Sequence, residues 1–207
     1  MNLWICEKPS VAKAVVEALG GGKNKQGYVE ISKKINGEEQ VVSWCVGHVL
    51  STLEPDEYEE KYKKWIFSDL PIIPSEWKLK ANPKTKDQLK ILKELIKKAT
   101  SFVNVGDPDR EGQLLVDELL INCKVYNKPT TRCHISDMNP DKVYQSVQES
   151  YKKDNKKYKG IYEAGLGRQK ADWLIGMNYS RGATLMAQKA GFGGVVTVGR
   201  VQTPVLA

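Results

Sequence analysis

The chain has 207 residues, 41% of them hydrophobic, so it is long and apolar enough to bury a core. Its 32 Lys and Arg outnumber 25 Asp and Glu, and the formal charge of +7 favours an anionic partner such as nucleic acid, although solvated lysines alone produce the same excess. Four cysteines without a C-x-x-C pair argue against a zinc or disulfide framework. With neither a signal-peptide pattern nor a bilayer-length apolar run, the sequence predicts a cytoplasmic protein without a membrane partner.

The sequence opens with a strand, a turn and a helix. Residues 3–6 form a short apolar run that ends at Glu-Lys-Pro, as in a buried strand. The apolar spacing of residues 11–19 predicts a helix with Ser10 as its N-cap. Residues 28–31 and 40–46 predict the two strands of a hairpin, because a polar Asn-Gly turn separates them.

Strand and helix patterns keep alternating after an irregular, proline-containing stretch at residues 51–84. Residues 85–88 predict a capping box at the start of a helix, and residues 102–105 predict a second buried strand. A helix, a strand at residues 132–135 and a helix after Asn139 follow. This alternation predicts an α/β fold with a mostly parallel sheet flanked by helices.

The last quarter of the chain has a different composition. The lysine-rich run at residues 151–159 predicts a linker or an exposed helix end, and residues 160–189 are helical. A glycine-rich stretch closes the sequence and looks like the opening of a domain. We therefore expect a first domain at residues 1–152 and a mainly helical, truncated second domain at residues 153–207.

An acidic cluster follows the predicted strand at residues 102–105. Alternate side chains of the extended segment DPDRE share a side, so Asp107, Asp109 and Glu111 can point into one small volume. Glu7 ends another predicted strand and belongs at the same edge, because ligands of open α/β sheets collect at the carboxyl ends of strands. Oxygen ligands at this density suit Mg²⁺. The alternative is that Asp109 and Glu111 only cap the following helix.

Five ordered blocks of the sequence resemble one protein family, and together they cover essentially the whole chain. These blocks are ICEKPSVAKAVVEALG, VVSWCVGHVL, DLPIIPSEWKL, VGDPDREGQLLVDE and ADWLIGMNYSRG with the later VGRVQTPVLA. The chain resembles the N-terminal portion of bacterial type IA DNA topoisomerases, nearest to topoisomerase III. In that family the first part is a Toprim domain, an α/β metal-binding fold.

The resemblance implies cleavage and religation of single-stranded DNA through a 5′-phosphotyrosine link. Glu7 matches the glutamate that donates a proton to the leaving 3′ oxygen, and Lys8 matches a residue that holds the scissile phosphate. Asp107, Asp109 and Glu111 match the magnesium-binding residues, with Glu7 beside them. The implied cofactor is therefore Mg²⁺.

The resemblance also implies a groove for single-stranded DNA, in which the guanidinium groups of arginines contact phosphate oxygens. The positions that match this groove are Lys8, Arg168, Asp172, Arg181, Arg200, Gln202 and Thr203. The alternative for Arg168 and Asp172 is a simple ion pair on one helix face. Single-stranded DNA is the expected partner, and a helicase is a candidate second partner.

None of the nine tyrosines matches the nucleophile motif of the family. Tyr179 imitates its local spacing but belongs to a helical block. The sequence therefore predicts a topoisomerase fragment that holds the acid, lysine and metal parts and is inactive alone. Two alternatives remain: a Toprim nuclease or primase relative, and a non-catalytic DNA-binding accessory module.

Overall fold

The structure is a computed structural model that describes residues 1–206. The chain divides into two compact units. The first unit comprises residues 1–51 and 81–165, and the second comprises residues 52–80 and those from 166 onward. This division differs from the expected boundary at residue 152, because the proline-containing stretch groups with the C-terminal part of the chain.

The first unit is built on a six-stranded sheet. Within residues 1–206 the strands are β1 (Asn2–Cys6), β2 (Gly22–Lys25), β3 (Tyr28–Ile31), β4 (Gln40–Trp44), β5 (Leu50–Thr52), β6 (Leu79–Ala81), β7 (Ser101–Val105) and β8 (Thr130–Arg132). The order in the large sheet is β2-β3-β4-β1-β7-β8, and β5 and β6 form a separate pair. β1 is parallel to β4 and β7, and β7 is parallel to β8, whereas β3 is antiparallel to β2 and β4. The predicted mostly parallel sheet is therefore confirmed.

Helices flank this sheet, and the longest of them, α6 (Lys159–Lys189), runs into the second unit. In the described part of the chain the α-helices are α1 (Pro9–Ala18), α2 (Pro55–Tyr58), α3 (Lys86–Lys98), α4 (Arg110–Asn122), α5 (Pro140–Ser150), α6 (Lys159–Lys189) and α7 (Gln202–Leu206). None of the helices in residues 1–206 combines the length and the apolar composition that a bilayer crossing requires.

The central strand β1 is buried along its whole length. Trp4 packs into a core to which α1 contributes Val15 and α5 contributes Val147. Leu3, at the alternate position, points to the opposite face of the sheet and is equally buried. A strand covered on both faces has a continuous apolar sequence, which is why the first residues predicted it.

Two predicted helix caps are wrong. α1 begins at Pro9 with Lys8 at the N-cap position, so Ser10 lies inside the helix. Thr85 does precede α3, but its hydroxyl donates to the Asn82 carbonyl and makes no cap bond to the helix. α1 starts instead at a proline whose fixed φ suits the first helical position.

Residues 151–159, predicted as a linker or an exposed helix end, begin at the C-cap of α5 and then pair with the sheet. The Arg132 amide donates to the Lys153 carbonyl at 2.7 Å. Thr131 forms an antiparallel bridge with Asp154. This lysine-rich run therefore adds to the sheet edge beside β8 instead of separating two domains.

His134 follows β8, and its ring lies against that of Tyr158 in a tilted arrangement, at 4.9 Å between ring centroids. Its buried Nε2 has no hydrogen-bond partner within residues 1–206. Burial first, and then the charges of Arg132 and Lys153, lower the pKa of His134 from 6.5 to about 4. The folded protein therefore keeps this imidazole neutral at pH values where the unfolded chain protonates it.

We expect His134 to destabilise the fold as the pH falls from 6.5 to about 4. In that window the unfolded chain binds a proton that the folded chain does not, and above it the effect vanishes. His134→Phe keeps a ring beside Tyr158 and removes the titration. The melting temperature of His134→Phe, relative to that of the wild type, should therefore rise as the pH falls toward 4. His48→Phe is the matched control, and parallel melting profiles for wild type and His134→Phe would contradict the assignment.

Candidate functional site

Two neighbouring parallel strands bring Glu7 and Asp107 together. Cys6 lies opposite Val105 in the register of β1 and β7, and the Glu7 amide donates to the Val105 carbonyl at 3.3 Å. The Asp107 amide then donates to Glu7 Oε2 at 2.9 Å. The predicted position of Glu7 beside the start of the acidic cluster is therefore confirmed.

We call residues 106–109 the acidic loop, and two glycines allow it to pack tightly. A Cβ on Gly106 would overlap the Gly112 carbonyl oxygen. A Cβ on Gly112 would lie 2.6 Å from the Asp107 carbonyl oxygen and 2.7 Å from Glu7 Oε2. The close approach of the loop, Glu7 and the first turn of α4 therefore requires residues without a Cβ.

Lys8 is paired with the acidic loop. Its Nζ donates to Asp107 Oδ2 at 2.7 Å. This hydrogen bond raises the pKa of Lys8 above its ordinary value. The Lys8 side chain is 47% exposed, so the pair contributes only about 0–1 kcal/mol to stability. An anion in solvent can therefore reach the ammonium.

The three clustered carboxylates have different partners. Asp109 is the N-cap of α4, and its Oδ1 accepts from the amides of Glu111 at 3.0 Å and Gly112 at 2.8 Å. Glu111 Oε1 lies 3.3 Å from His48 Nε2. In this arrangement the described residues contain no group of three or more His, Cys, Asp or Glu side chains that could hold a metal ion. Asp109 therefore does cap α4, whereas its metal-binding role stays a prediction.

The donor chemistry nevertheless fits a hard cation. In the contacts found among residues 1–206, Glu7 uses only Oε2, Asp107 only Oδ2 and Asp109 only Oδ1. Each carboxylate keeps one oxygen for a further ligand. Because carboxylate oxygens are preferred ligands of Mg²⁺, the cap and ion-pair contacts leave room for a metal-binding role.

A buried polar network supports the acidic loop, and sequence reasoning missed it. Arg132 is 1% exposed, and it donates from Nη2 to the Asp107 carbonyl at 2.8 Å and from Nε to Gln113 Oε1 at 2.7 Å. Gln113 Nε2 in turn donates to Asp117 Oδ2 at 2.7 Å and Asn155 Oδ1 at 2.9 Å. Burial raises the pKa of the Asp117 carboxyl, and its hydrogen bonds act in the opposite direction. The available signal was an arginine inside a predicted strand of the sheet, since a charge that becomes buried there needs partners.

Five of the residues predicted to contact DNA lie near one another in the second unit. Arg200 Nε donates to Asp172 Oδ1 at 2.7 Å, and Arg168 Nε lies 3.5 Å from Asp172 Oδ2. Gln202 begins α7, and Thr203 Oγ1 accepts a hydrogen bond from the Gly199 amide at 3.0 Å. The ion pair considered for Arg168 and Asp172 is present, and Arg200 extends it to a three-residue cluster.

Arg181 has a different environment from these five residues. It is 7% exposed, its Nη1 donates to the Tyr62 carbonyl at 2.7 Å, and its guanidinium lies 5.0 Å from the Trp65 ring centroid. Arg181 therefore holds the 52–80 stretch within the second unit. Little of this side chain is exposed, and its contact with DNA stays a prediction that these contacts do not support.

The fold and the site together are those of a Toprim domain, an α/β unit with acidic residues at the carboxyl ends of parallel strands. The chain belongs to the Toprim family, whose domain model matches residues 2–138. A second family model, described as DNA topoisomerase, matches residues 156–207.

Relatives extend the similarity over the whole chain. The chain is 46% identical to DNA topoisomerase 3 of Vibrio cholerae over 99% of its length, and 40% and 41% identical to DNA topoisomerase 3 of Salmonella typhimurium and Haemophilus influenzae over 100%. It spans 31% of the length of each of these relatives. These matches confirm the predicted resemblance to type IA DNA topoisomerases of the topoisomerase III type.

Proposed function

We propose that the chain is the N-terminal part, a Toprim domain and the start of the next domain, of a type IA DNA topoisomerase that cleaves and religates single-stranded DNA through a 5′-phosphotyrosine. The observation that carries this proposal is the contact between Glu7 and the acidic loop, with the reachable Lys8 ammonium beside it. The similarity to DNA topoisomerase 3 proteins supports it. None of the nine tyrosines in these 207 residues matches the nucleophile motif of the family.

In this function Glu7 is the proton donor to the leaving 3′ oxygen. The Asp107 amide fixes Glu7 Oε2, which leaves Oε1 to face a substrate. Lys8 offers its ammonium to the scissile phosphate and offsets the charge that develops there. Asp107 is the present partner of Lys8, and a phosphate oxygen would take its place.

We further propose Mg²⁺ as the cofactor. Asp107 and Asp109 would hold the ion, and Glu111 would join them on leaving His48. Glu7 would join through Oε1 only after it has given up its proton to the 3′ oxygen. Bound there, Mg²⁺ would offset the carboxylate charges and position the broken DNA end for religation. The oxygens of Glu7, Asp107 and Asp109 that are free of the contacts described above support this choice.

Calorimetric titration of Mg²⁺ into the 207-residue chain tests the cofactor. Asp107→Ala and Asp109→Ala should each weaken binding by about 10- to 100-fold or more, because losing a ligand costs at least as much as losing an outer-shell partner. Asp141→Ala is the matched control, since it removes an exposed first-turn carboxylate from α5. Unchanged affinity in both test variants would leave Asp107 with an ion-pair role and Asp109 with a cap role.

Single-stranded DNA is the proposed partner of the cluster formed by Arg168, Asp172 and Arg200. Both arginines approach Asp172 through Nε, which leaves the outer guanidinium nitrogens for phosphate oxygens. Gln202 and Thr203 lie in the first turn of α7 and would add polar contacts to the DNA backbone.

Arg200→Ala should weaken binding of single-stranded DNA by a similar factor for every sequence, because phosphate contacts carry no sequence information. The slope of log affinity against log salt should fall by about 1. Fluorescence anisotropy with labelled oligonucleotides at several salt concentrations measures both effects. Lys97→Ala, an equal charge change on the exposed end of α3, is the control. Equal salt slopes in wild type and Arg200→Ala would show that Arg200 pairs with Asp172 and does not contact the DNA.

A further inference from the structure

The fold buries the charge of Arg132 almost completely, at 1% exposure. Burial of a guanidinium is costly unless its donors are satisfied. Within residues 1–206 no carboxylate lies within 4.0 Å of the Arg132 nitrogens, and their hydrogen-bond partners are carbonyl and amide oxygens. These partners therefore indicate what the buried charge stabilises.

The partners of Arg132 belong to separate segments of the first unit. Nη1 donates to the Asn104 carbonyl at 3.0 Å and to the Cys133 carbonyl at 2.6 Å, which joins β7 to the residue after β8. Nη2 donates to the Asp107 carbonyl in the acidic loop at 2.8 Å. The planar guanidinium of arginine has five N–H donors and can make these contacts together. The ammonium of lysine is a compact charge and cannot span them.

Gln113 fixes the orientation of Arg132. It lies in α4 directly after Gly112, is fully buried, and accepts from Arg132 Nε at 2.7 Å. Its own amide group donates to Asp117 and Asn155. Because Asp109 caps the same helix, the acidic loop is fixed at one end by the cap and at the other by Arg132.

We propose that Arg132, oriented by Gln113, is the positioning residue of the acidic loop, which it holds through the Asp107 carbonyl so that Asp107 and Asp109 stay beside Glu7. Its contacts to Asn104 and Cys133 join β7 to the residue after β8. Its contact to the Asp107 carbonyl fixes the position of the acidic loop. The consequence for metal binding rests on the proposed Mg²⁺ site, whereas the consequence for loop order does not.

Hydrogen exchange of the metal-free chain tests the positioning role. In Arg132→Lys the amides of Asp107 and Gly112 should exchange about 10- to 100-fold faster, the factor expected for a lost hydrogen bond to a charged group. Val147→Ala removes buried volume from α5 without touching the loop and provides a destabilised control. If the exchange rates of the Asp107 and Gly112 amides rise no more in Arg132→Lys than in Val147→Ala, the proposal is overturned.

Magnesium titration of the same variants separates this inference from the proposed function. We expect Arg132→Lys to lose about 10- to 100-fold in Mg²⁺ affinity and Val147→Ala to lose none. If the wild type binds no Mg²⁺ but the loop of Arg132→Lys exchanges faster, the proposed cofactor fails and the positioning role stands. If the wild type binds Mg²⁺ and Arg132→Lys keeps both loop protection and affinity, the positioning role fails alone.

Gln113→Met covers the case in which Arg132→Lys does not fold. It keeps the Arg132 charge and removes the oxygen that orients Nε. Exchange at the Asp107 amide should rise in the same direction and by a smaller factor. Unchanged exchange at Asp107 in folded Gln113→Met would contradict the role of Gln113 in orienting Arg132.

Discussion

Gly106→Ala should destabilise the first unit by about 3 kcal/mol, the upper end of usual overpacking costs. The added Cβ would overlap the carbonyl oxygen of Gly112, a backbone atom that no side-chain rotation can move away. Relief requires the acidic loop to shift away from α4, and this shift would separate the Asp107 amide from Glu7 Oε2. Calorimetry should show the melting temperature of the first unit lowered by about 6–12 °C.

Gly167→Ala is the matched control for this substitution. Gly167 lies in α6, and a Cβ there would have no neighbour within 4 Å. Alanine at this position should stabilise the protein by about 0.4–1 kcal/mol through the entropy of the unfolded chain. Melting of Gly106→Ala at the wild-type temperature would show that the loop does not need the close contact with Gly112.

Trp173→Ala should destabilise the second unit by about 3–5 kcal/mol, the usual cost of truncating a buried tryptophan. Trp173 is 6% exposed, and its Nε1 donates to the Leu53 carbonyl at 2.9 Å. Its ring meets Tyr58 and Trp77 edge-on, with centroid distances of 6.0 and 5.4 Å. Loss of this ring should release residues 52–80, which limited proteolysis would detect as new cleavage sites there.

Trp173→Phe separates the ring from the hydrogen bond. Phenylalanine keeps the aromatic contacts and loses only the Nε1 donor, so the expected loss is about 0.5–1.5 kcal/mol for the hydrogen bond, with a further cost for the smaller ring. Proteolysis of residues 52–80 should then stay close to that of the wild type. Equal protease resistance in Trp173→Ala and wild type would contradict the role of this tryptophan in holding the stretch.

The sequence predicted buried strands such as β1 and β7, and it missed β2, β5 and β6. β1 and β7 are apolar runs bounded by turn residues, so their composition reports their burial. β2 has the sequence GKNK and is exposed throughout, so no apolar pattern identifies it. It forms by backbone pairing with β3 at the sheet edge, a contact that a pattern of side chains does not report.

The candidate site was predictable where strand ends determine it. Parallel pairing of β1 with β7 places Glu7 beside Asp107, and both residues stood at predicted strand ends. The capping role of Asp109 was foreseen only as an alternative, because an acidic residue before a helix suits both a cap and a metal ligand. Arg132 was missed because its partners are mostly backbone carbonyls, which any sequence supplies.

We propose that Glu7 and the acidic loop form one binding edge for a divalent cation. Anomalous diffraction from crystals of this chain grown with Mn²⁺ tests it most directly, since Mn²⁺ takes the same carboxylate ligands as Mg²⁺. We predict an anomalous peak at coordination distance from oxygens of Glu7, Asp107 and Asp109. Fully occupied Mn²⁺ peaks elsewhere, with none at this edge, would contradict the account.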